Sequence, residues 1–364
     1  VTPDPQSPGS PTPARPVRVA LDLLGGDDVP EVVIDAALAA ADALGERVEL
    51  ILVGPPAVAD AVLAARGAPQ RLRVVAADSS VAMDEDPVRA VRSRRHCSIR
   101  VATTLVRDGE ADAVVSVGHT GASLAAAVFG LDRLPGVTRP AVAVLLPTPR
   151  GQVVLLDAGG TPDAGPDLLA QFALVGSAYA RALGVEDPRV GLLTIGTETG
   201  KGDELRRRAA ELLDALPLNY VGGVEGGDLA RGGPADVVVT DGFTGNVVLK
   251  AIEGAVDSSL DRVADRYDDA APARALAREL RAGAHAGAVL LGVDGVSIVG
   301  HGASTRDEVA AHVALAVQVV ERALIPRTAA VLSDLVALRR GGLGAPTVAA
   351  PAGPSDAADG AVRA

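Results

Sequence analysis

Short apolar runs of Val, Leu, Ile and Ala alternate with segments of helical period along most of this chain, and few folds accept that pattern. Strand candidates begin near Arg18, Val48, Leu72, Ala113, Ala141, Val153, Val190, Asn219 and Val237, and helix candidates near Pro30, Ala57, Pro87, Thr120, Pro166, Gly202 and Gly245. Strands buried on both faces read as continuous apolar runs. Their alternation with helices predicts an α/β protein whose parallel or mixed sheet is covered on both sides. The chain of 364 residues is 48% hydrophobic but only 2% aromatic, so the core must be aliphatic. That length suffices for one large body or two closely joined lobes.

Residues 1–16, VTPDPQSPGSPTPARP, and the stretch from Gly341 to the end are rich in Pro, Gly or Ala and predict disordered tails. Between them one folded body is expected over 17–340, with no internal linker and no repeat of fixed period. STRDE, from Ser304, spaces Thr305 and Glu308 for a capping box, and Pro326 is expected to kink or divide the helical run that follows. One cysteine, Cys97, excludes an intramolecular disulfide and suits a reducing compartment. No apolar run reaches the roughly 18 residues of a membrane span, and the amino end lacks the pattern of a signal peptide. The expectation is a soluble cytoplasmic protein. A net charge of -12 argues against nucleic-acid partners, so an anionic ligand would have to be held by local groups.

Six turns carry more Gly, Asp, Thr and Asn than a connection needs: LDLLGGDD (21–28), SVGHTG (116–121), LDAGGTPDAGP (156–166), TIGTETGKG (194–202), GGVEGG (222–227) and TDGFTGN (240–246). They share one place, after a strand and before a helix, where glycines let backbone amides approach a ligand and helix starts favour negative charge. SVGHTG puts His119 in such a turn, and TETGKG adds the cation of Lys201. TETGKG is not a Walker loop, because Gly202 and not a hydroxyl residue follows the lysine; no GxGxxG follows the first strand, and GxSxG and HExxH are absent. Of the five histidines, His96, His119, His285, His301 and His312, the helical His285 and His312 read as surface residues. Chemistry on phosphate, which needs positioning and electrostatic stabilisation above all, fits this inventory.

In order along the chain, these segments resemble the phosphate acyltransferase (PlsX) family of bacterial phospholipid synthesis over about residues 17–323. LDLLGGDD is similar to the family's DAMGGD and SVGHTGA to its SAGNTGA. RLPGVTRPAVAVLLPT, LLAQFALVGSAYA, PRVGLLTIGTETGKGDEL, DVVVTDGFTGNVVLK and LLGVDGVSIVGHGAS resemble further blocks. The resemblance implies a three-layer α/β/α sandwich with a mostly parallel sheet, like that of phosphotransacetylases and isocitrate or isopropylmalate dehydrogenases. It also implies a homodimer, no metal or organic cofactor, and transfer of a long-chain acyl group from acyl carrier protein to inorganic phosphate. Two alternatives stay open: a phosphotransacetylase-like enzyme using a small acyl-CoA, and a non-catalytic relative that binds phosphate or the carrier.

Carried over by position, the resemblance implies Lys201, Asp241 and Asn246 as catalytic candidates, to which His119, standing where the family has asparagine, is added as a fourth that keeps the asparagine's hydrogen-bonding task. As binding residues it implies Asp22, Gly25, Gly26 and Asp27 in the first motif, Thr120 and Gly121 in the second, and Asp157 in the third. Gly196, Thr197, Gly202, Glu225, Gly242, Gly245 and Lys250 follow, with His301 and Gly302 in the last. The basic run VRAVRSRRHCSIR (88–100) reads as one helix segment, with Arg94 and Arg95 facing phosphate or the acidic carrier. The chain departs from the family's pattern at His119, where the family has asparagine, at Gly160 and Pro162, and at Gly227, where it has arginine. The segment around 268–287 is shorter and less apolar than the region by which some relatives touch membrane, so only a doubtful peripheral membrane contact is expected.

Overall fold

The computed structural model describes residues 15–68, 72–198, 200–266, 271–272, 274–276 and 287–342. The expected tails fall almost wholly outside these residues, as do His285 and most of 268–287. The nine expected strands are β1 (Val17–Asp22), β2 (Val48–Gly54), β3 (Arg73–Ala76), β4 (Ala113–Ser116), β5 (Ala141–Thr148), β6 (Gly151–Leu156), β7 (Arg189–Leu193), β8 (Asn219–Val224) and β9 (Val237–Val239). Two more, β10 (Ala288–Leu291) and β11 (Val296–Val299), were not read from the sequence. The helices are α1 (Glu31–Leu44), α2 (Pro56–Ala65), α3 (Pro87–Ser93), α4 (Ser98–Arg107), α5 (Thr120–Gly130), α6 (Pro166–Leu183), α7 (Glu204–Asp214), α8 (Gly226–Arg231), α9 (Gly242–Arg266), α10 (Arg306–Glu321) and α11 (Leu324–Gly342).

All the strands join one sheet in the order β3-β2-β1-β4-β11-β10-β5-β6-β9-β7-β8. From β3 to β11 the pairings are parallel, and from β6 to β8 they are parallel again. The three pairings between, β11 to β10, β10 to β5 and β5 to β6, are antiparallel. Three reversals leave the two parallel blocks running in opposite directions.

Side chains alternate between faces, as the pleat requires. Val19 and Leu21 of β1, Val115 of β4, Ala143 of β5, Leu156 of β6 and Val289 of β10 enter one continuous core beneath α1, α6, α10 and α11. On the other face the core is divided. Ala20, Ile51 and Val114 pack with Ile99, Ala102 and Ala126 of α4 and α5, whereas Val142, Leu155 and Leu290 pack with Leu249 of α9. The molecule is therefore a three-layer α/β/α sandwich whose second layer is split in two.

Two local expectations are corrected. The helical run after Thr305 has its capping box, but it breaks at Ala323 (φ 49°), before Pro326. The proline sits in the first turn of α11, where its missing N–H is not needed. The basic run is not one helix, because residues 94–97 turn back to pair with 78–79: Ser98 N donates to Ser79 O at 2.8 Å and Asp78 N to His96 O at 3.2 Å. No single described helix is long and apolar enough to cross a membrane; α10 and α11 pass that test only together, with a 55° bend between them.

Tyr179 lies fully buried on α6, and its hydroxyl finds no hydrogen-bond partner among the described residues. An unpaired buried hydroxyl costs about 1–3 kcal/mol. Tyr179→Phe should therefore stabilise the fold, by about 1 kcal/mol in urea unfolding.

Candidate active site

The turns that follow β1, β4 and β11 are bound to one another. Asp22, at the end of β1, accepts from Ser116 Oγ at 2.8 Å and from Leu24 N at 3.2 Å, and burial pushes its carboxyl up. A Cβ on Gly25 would stand 2.9 Å from Gly118 N, so the two backbones can cross only because this residue is glycine. Asp27 N donates to Gly302 O and Gly300 N to Ser116 O, both at 2.9 Å. Asp22, Gly25, Gly26 and Asp27 thus frame the neighbouring turns.

His119 is the N-cap of α5. Its Nδ1 accepts from Gly121 N at 3.0 Å, so the imidazole supplies the acceptor that an asparagine side chain gives at such a position. Thr120 and Gly121 form the first turn; His119 takes the Gly121 amide, and the helix dipole still favours an anion at this end.

A second wall hangs from β6. The buried Asp157 carboxylate accepts from Val142 N (2.9 Å), Gly159 N (3.3 Å), Gly160 N (2.9 Å) and Thr161 N (2.6 Å). Burial pushes its carboxyl up while the amides pull against it. Gly242 N donates to Thr161 O at 2.8 Å, and a Cβ on Gly245 would collide with the Asp157 carbonyl oxygen, so α9 starts flush against this turn. Asp241 accepts from Thr244 N and Oγ1, each at 2.8 Å, and from Arg206. Burial alone would raise the Asp241 carboxyl, but these donors hold it below the usual range. The start of α9 is thereby fixed, and Asn246 and Lys250 come one turn apart on one side. Lys250 Nζ donates to the buried Glu253 at 2.7 Å.

These walls enclose a cavity of about 720 Å³ on the divided face of the sheet. Of the residues named from sequence, His119, Thr120, Gly121, Asn246, Lys250, His301 and Gly302 line it. Asp157, Asp241, Gly242 and Gly245 do not line it but hold its wall from behind. Gly196, Thr197, Lys201 and Gly202 belong to the turn after β7, and Lys201 is exposed with its stem over Gly196, not in the lining. Glu225 is exposed at the start of α8. Arg94 is no free cation: it pairs with Glu85 at 2.8 Å and donates to Ser80 O at 2.9 Å, while Arg95 is exposed.

The cavity also takes in Met83, Val142, Val144, Glu253, Ala288 and His312, which sequence reasoning missed. His312 is only 2% exposed, a correction to its reading as a surface residue. It shares the inner stripe of α10 with Val309, Val313 and Ala316, a spacing that could have revealed it. Of the departures, Gly160 and Pro162 line the cavity. Over Gly227 lies the Arg231 guanidinium, 3.1 Å from where a Cβ would stand. Among the described residues no three His, Cys, Asp or Glu side chains gather to hold a metal ion.

A family model described as fatty acid synthesis protein matches residues 17–327. A phosphate acyltransferase of Desulfitobacterium hafniense is 42% identical over 321 residues, covering 85% of this chain and 96% of the relative. The chain belongs to the phosphate acyltransferase family. Another member, from Thermobifida fusca, is 44% identical over 314 residues, 82% of this chain and 86% of its own. The protein is thus an acyltransferase that joins an acyl group to phosphate. Solved structures give the same fold at low identity. EutD phosphotransacetylase from Staphylococcus aureus has a TM-score of 0.55 at 16% identity, over 85% of this chain and 94% of that one. A branched-chain phosphotransacylase from Enterococcus faecalis has a TM-score of 0.55 at 14% identity, over 86% and 99%.

Proposed function

We propose that the acyl donor is long-chain acyl-acyl carrier protein, that the acceptor is inorganic phosphate, and that both meet in the cavity between α5 and α9, in an early step of phospholipid synthesis. Phosphate binds at the amino end of α5, with Lys250 as its cation. One of its oxygens attacks the thioester carbonyl, and Asn246 and nearby amides stabilise the oxyanion that forms. Collapse of the intermediate expels the carrier thiolate, which takes a proton, and leaves acyl phosphate. The observation that carries this reading is that a helix start, Lys250 and Asn246 share one cavity with aliphatic residues. The reading includes a cytoplasmic homodimer, which sedimentation would check.

Its test is release of free thiol. Palmitoyl-carrier protein with phosphate should release it, and acetyl-CoA with phosphate should not. Release from acetyl-CoA alone would favour the small acyl-CoA enzyme, and release from neither a non-catalytic relative.

For the carrier, the exposed cations of the basic run are Arg89, Arg92 and Arg95, and the Arg92 guanidinium lies 5.1 Å from the centre of the Phe129 ring. Opposite local potentials steer encounters even between proteins of like net charge. Arg89→Glu with Arg95→Glu should raise KM for the acyl carrier about tenfold at low salt, since exposed charges act mainly on encounter. The penalty should shrink near 1 M salt, where the Debye length is about 3 Å. A penalty independent of salt would place these arginines in the chemistry.

A further inference from the structure

Three adjacent strands, β11, β10 and β5, floor the cavity. Val299, Ala288, Val142 and Val144 line it from these strands, and Leu249 of α9 and Ala158 of the β6 turn line it as well. Ala288 stands opposite Val299, and the next residue, Val289, opposite Ala143, so the floor is continuous from strand to strand. At about 4.8 Å between strands it spans roughly 10 Å. None of these six side chains can hydrogen-bond. The polar lining comes from turns, which supply His119 and His301, from α9, which supplies Asn246, Lys250 and Glu253, and from α10, which supplies Glu308 and His312. Phosphate or an acetyl group would use that polar part and leave the floor in contact with water, whereas a long aliphatic chain would cover it.

We infer that the floor formed by Val299, Ala288, Val142 and Val144, beneath Leu249, seats the acyl chain of the donor, and that its side-chain volumes set the chain length the enzyme prefers. The inference rests on the acyl-transfer reading above and adds to it the place and the limit of the chain. Ala288 is 8% exposed and Val144 4%, so a larger side chain at either position takes volume from the cavity or strains the sheet. One methylene in an apolar site changes discrimination by about tenfold or more.

The test uses the whole chain and compares kcat/KM for palmitoyl and octanoyl thioesters with phosphate as acceptor. Ala288→Leu and Val144→Phe should each lower the palmitoyl-to-octanoyl ratio at least about tenfold, and KM for phosphate should move less than the ratio does. Val144→Ala enlarges the floor and should move the ratio the other way, so it reads the same property if a larger residue prevents folding. An unchanged ratio in variants with native circular dichroism overturns the inference. Absence of thiol release by the unsubstituted enzyme with any acyl thioester would instead overturn the acyl-transfer reading beneath it.

Discussion

Lys250→Ala should lower kcat/KM for acyl phosphate formation by about 2 to 4 kcal/mol, the range for removing one preorganised electrostatic donor. Lys250 lines the cavity one turn beyond Asn246, with its ammonium fixed by Glu253 at 2.7 Å. Because the substitution takes the ammonium partner from a buried carboxylate, Lys250→Ala with Glu253→Gln separates lost stability from lost catalysis: the activity deficit should remain while the melting temperature recovers. Lys201→Ala supplies the contrast. Lys201 is exposed on the turn after β7 and does not line the cavity, so its loss should cost at least about tenfold less activity than that of Lys250. Equal losses at the two positions would mean that the β7 turn reaches the ligand.

Gly245→Ala should lose about 3 kcal/mol of stability in urea unfolding, at the upper end for overpacking, together with nearly all activity. The added methyl would meet the Asp157 carbonyl oxygen, a backbone atom, so relief must come from moving α9 off the β6 turn. That movement carries away Asn246 and Lys250 together. Gly254, nine residues further along the same helix, has open space where its Cβ would stand. Gly254→Ala should therefore stabilise the helix by about 0.5–1 kcal/mol, as expected for alanine in place of a mid-helix glycine. Equal effects of the two substitutions would show that the Asp157 contact does not hold the wall.

What the sequence discloses depends on how local each signal is. β1, β2 and β6 are apolar runs of six or seven residues, β4 is marked by the glycine turn that follows it, and His119 and Asn246 lie in turns whose glycines announce them. β10 and β11 have four residues each and are parted by GVDG, which looks like one more glycine turn. Their place in the middle of the sheet depends on pairing with β4 and β5, more than a hundred residues earlier, and no local pattern encodes that. The same holds within the site. Glu253 follows Lys250 by three positions and could have been read from the face of α9. Val142 and Val144 look like any sheet residues until the split of the second layer leaves them facing a cavity. Lys201 and Arg94 show the converse, because a cation in a conspicuous motif says nothing of where the neighbouring chain leads. Arg94 finds Glu85, and Lys201 stays at the surface.

The sheet order also bears on synthesis. β10 and β11 are the last of the described strands to leave the ribosome, yet they occupy the centre of the sheet, between β4 and β5. Until residues 288–299 emerge, a nascent chain can assemble the two parallel blocks but not join them through this hairpin, and β4 and β5 present open edges that could pair with another chain. The floor under the proposed acyl chain is completed by that same hairpin. A truncated product would therefore be both inactive and prone to associate, which couples the ability to bind substrate to completion of the polypeptide.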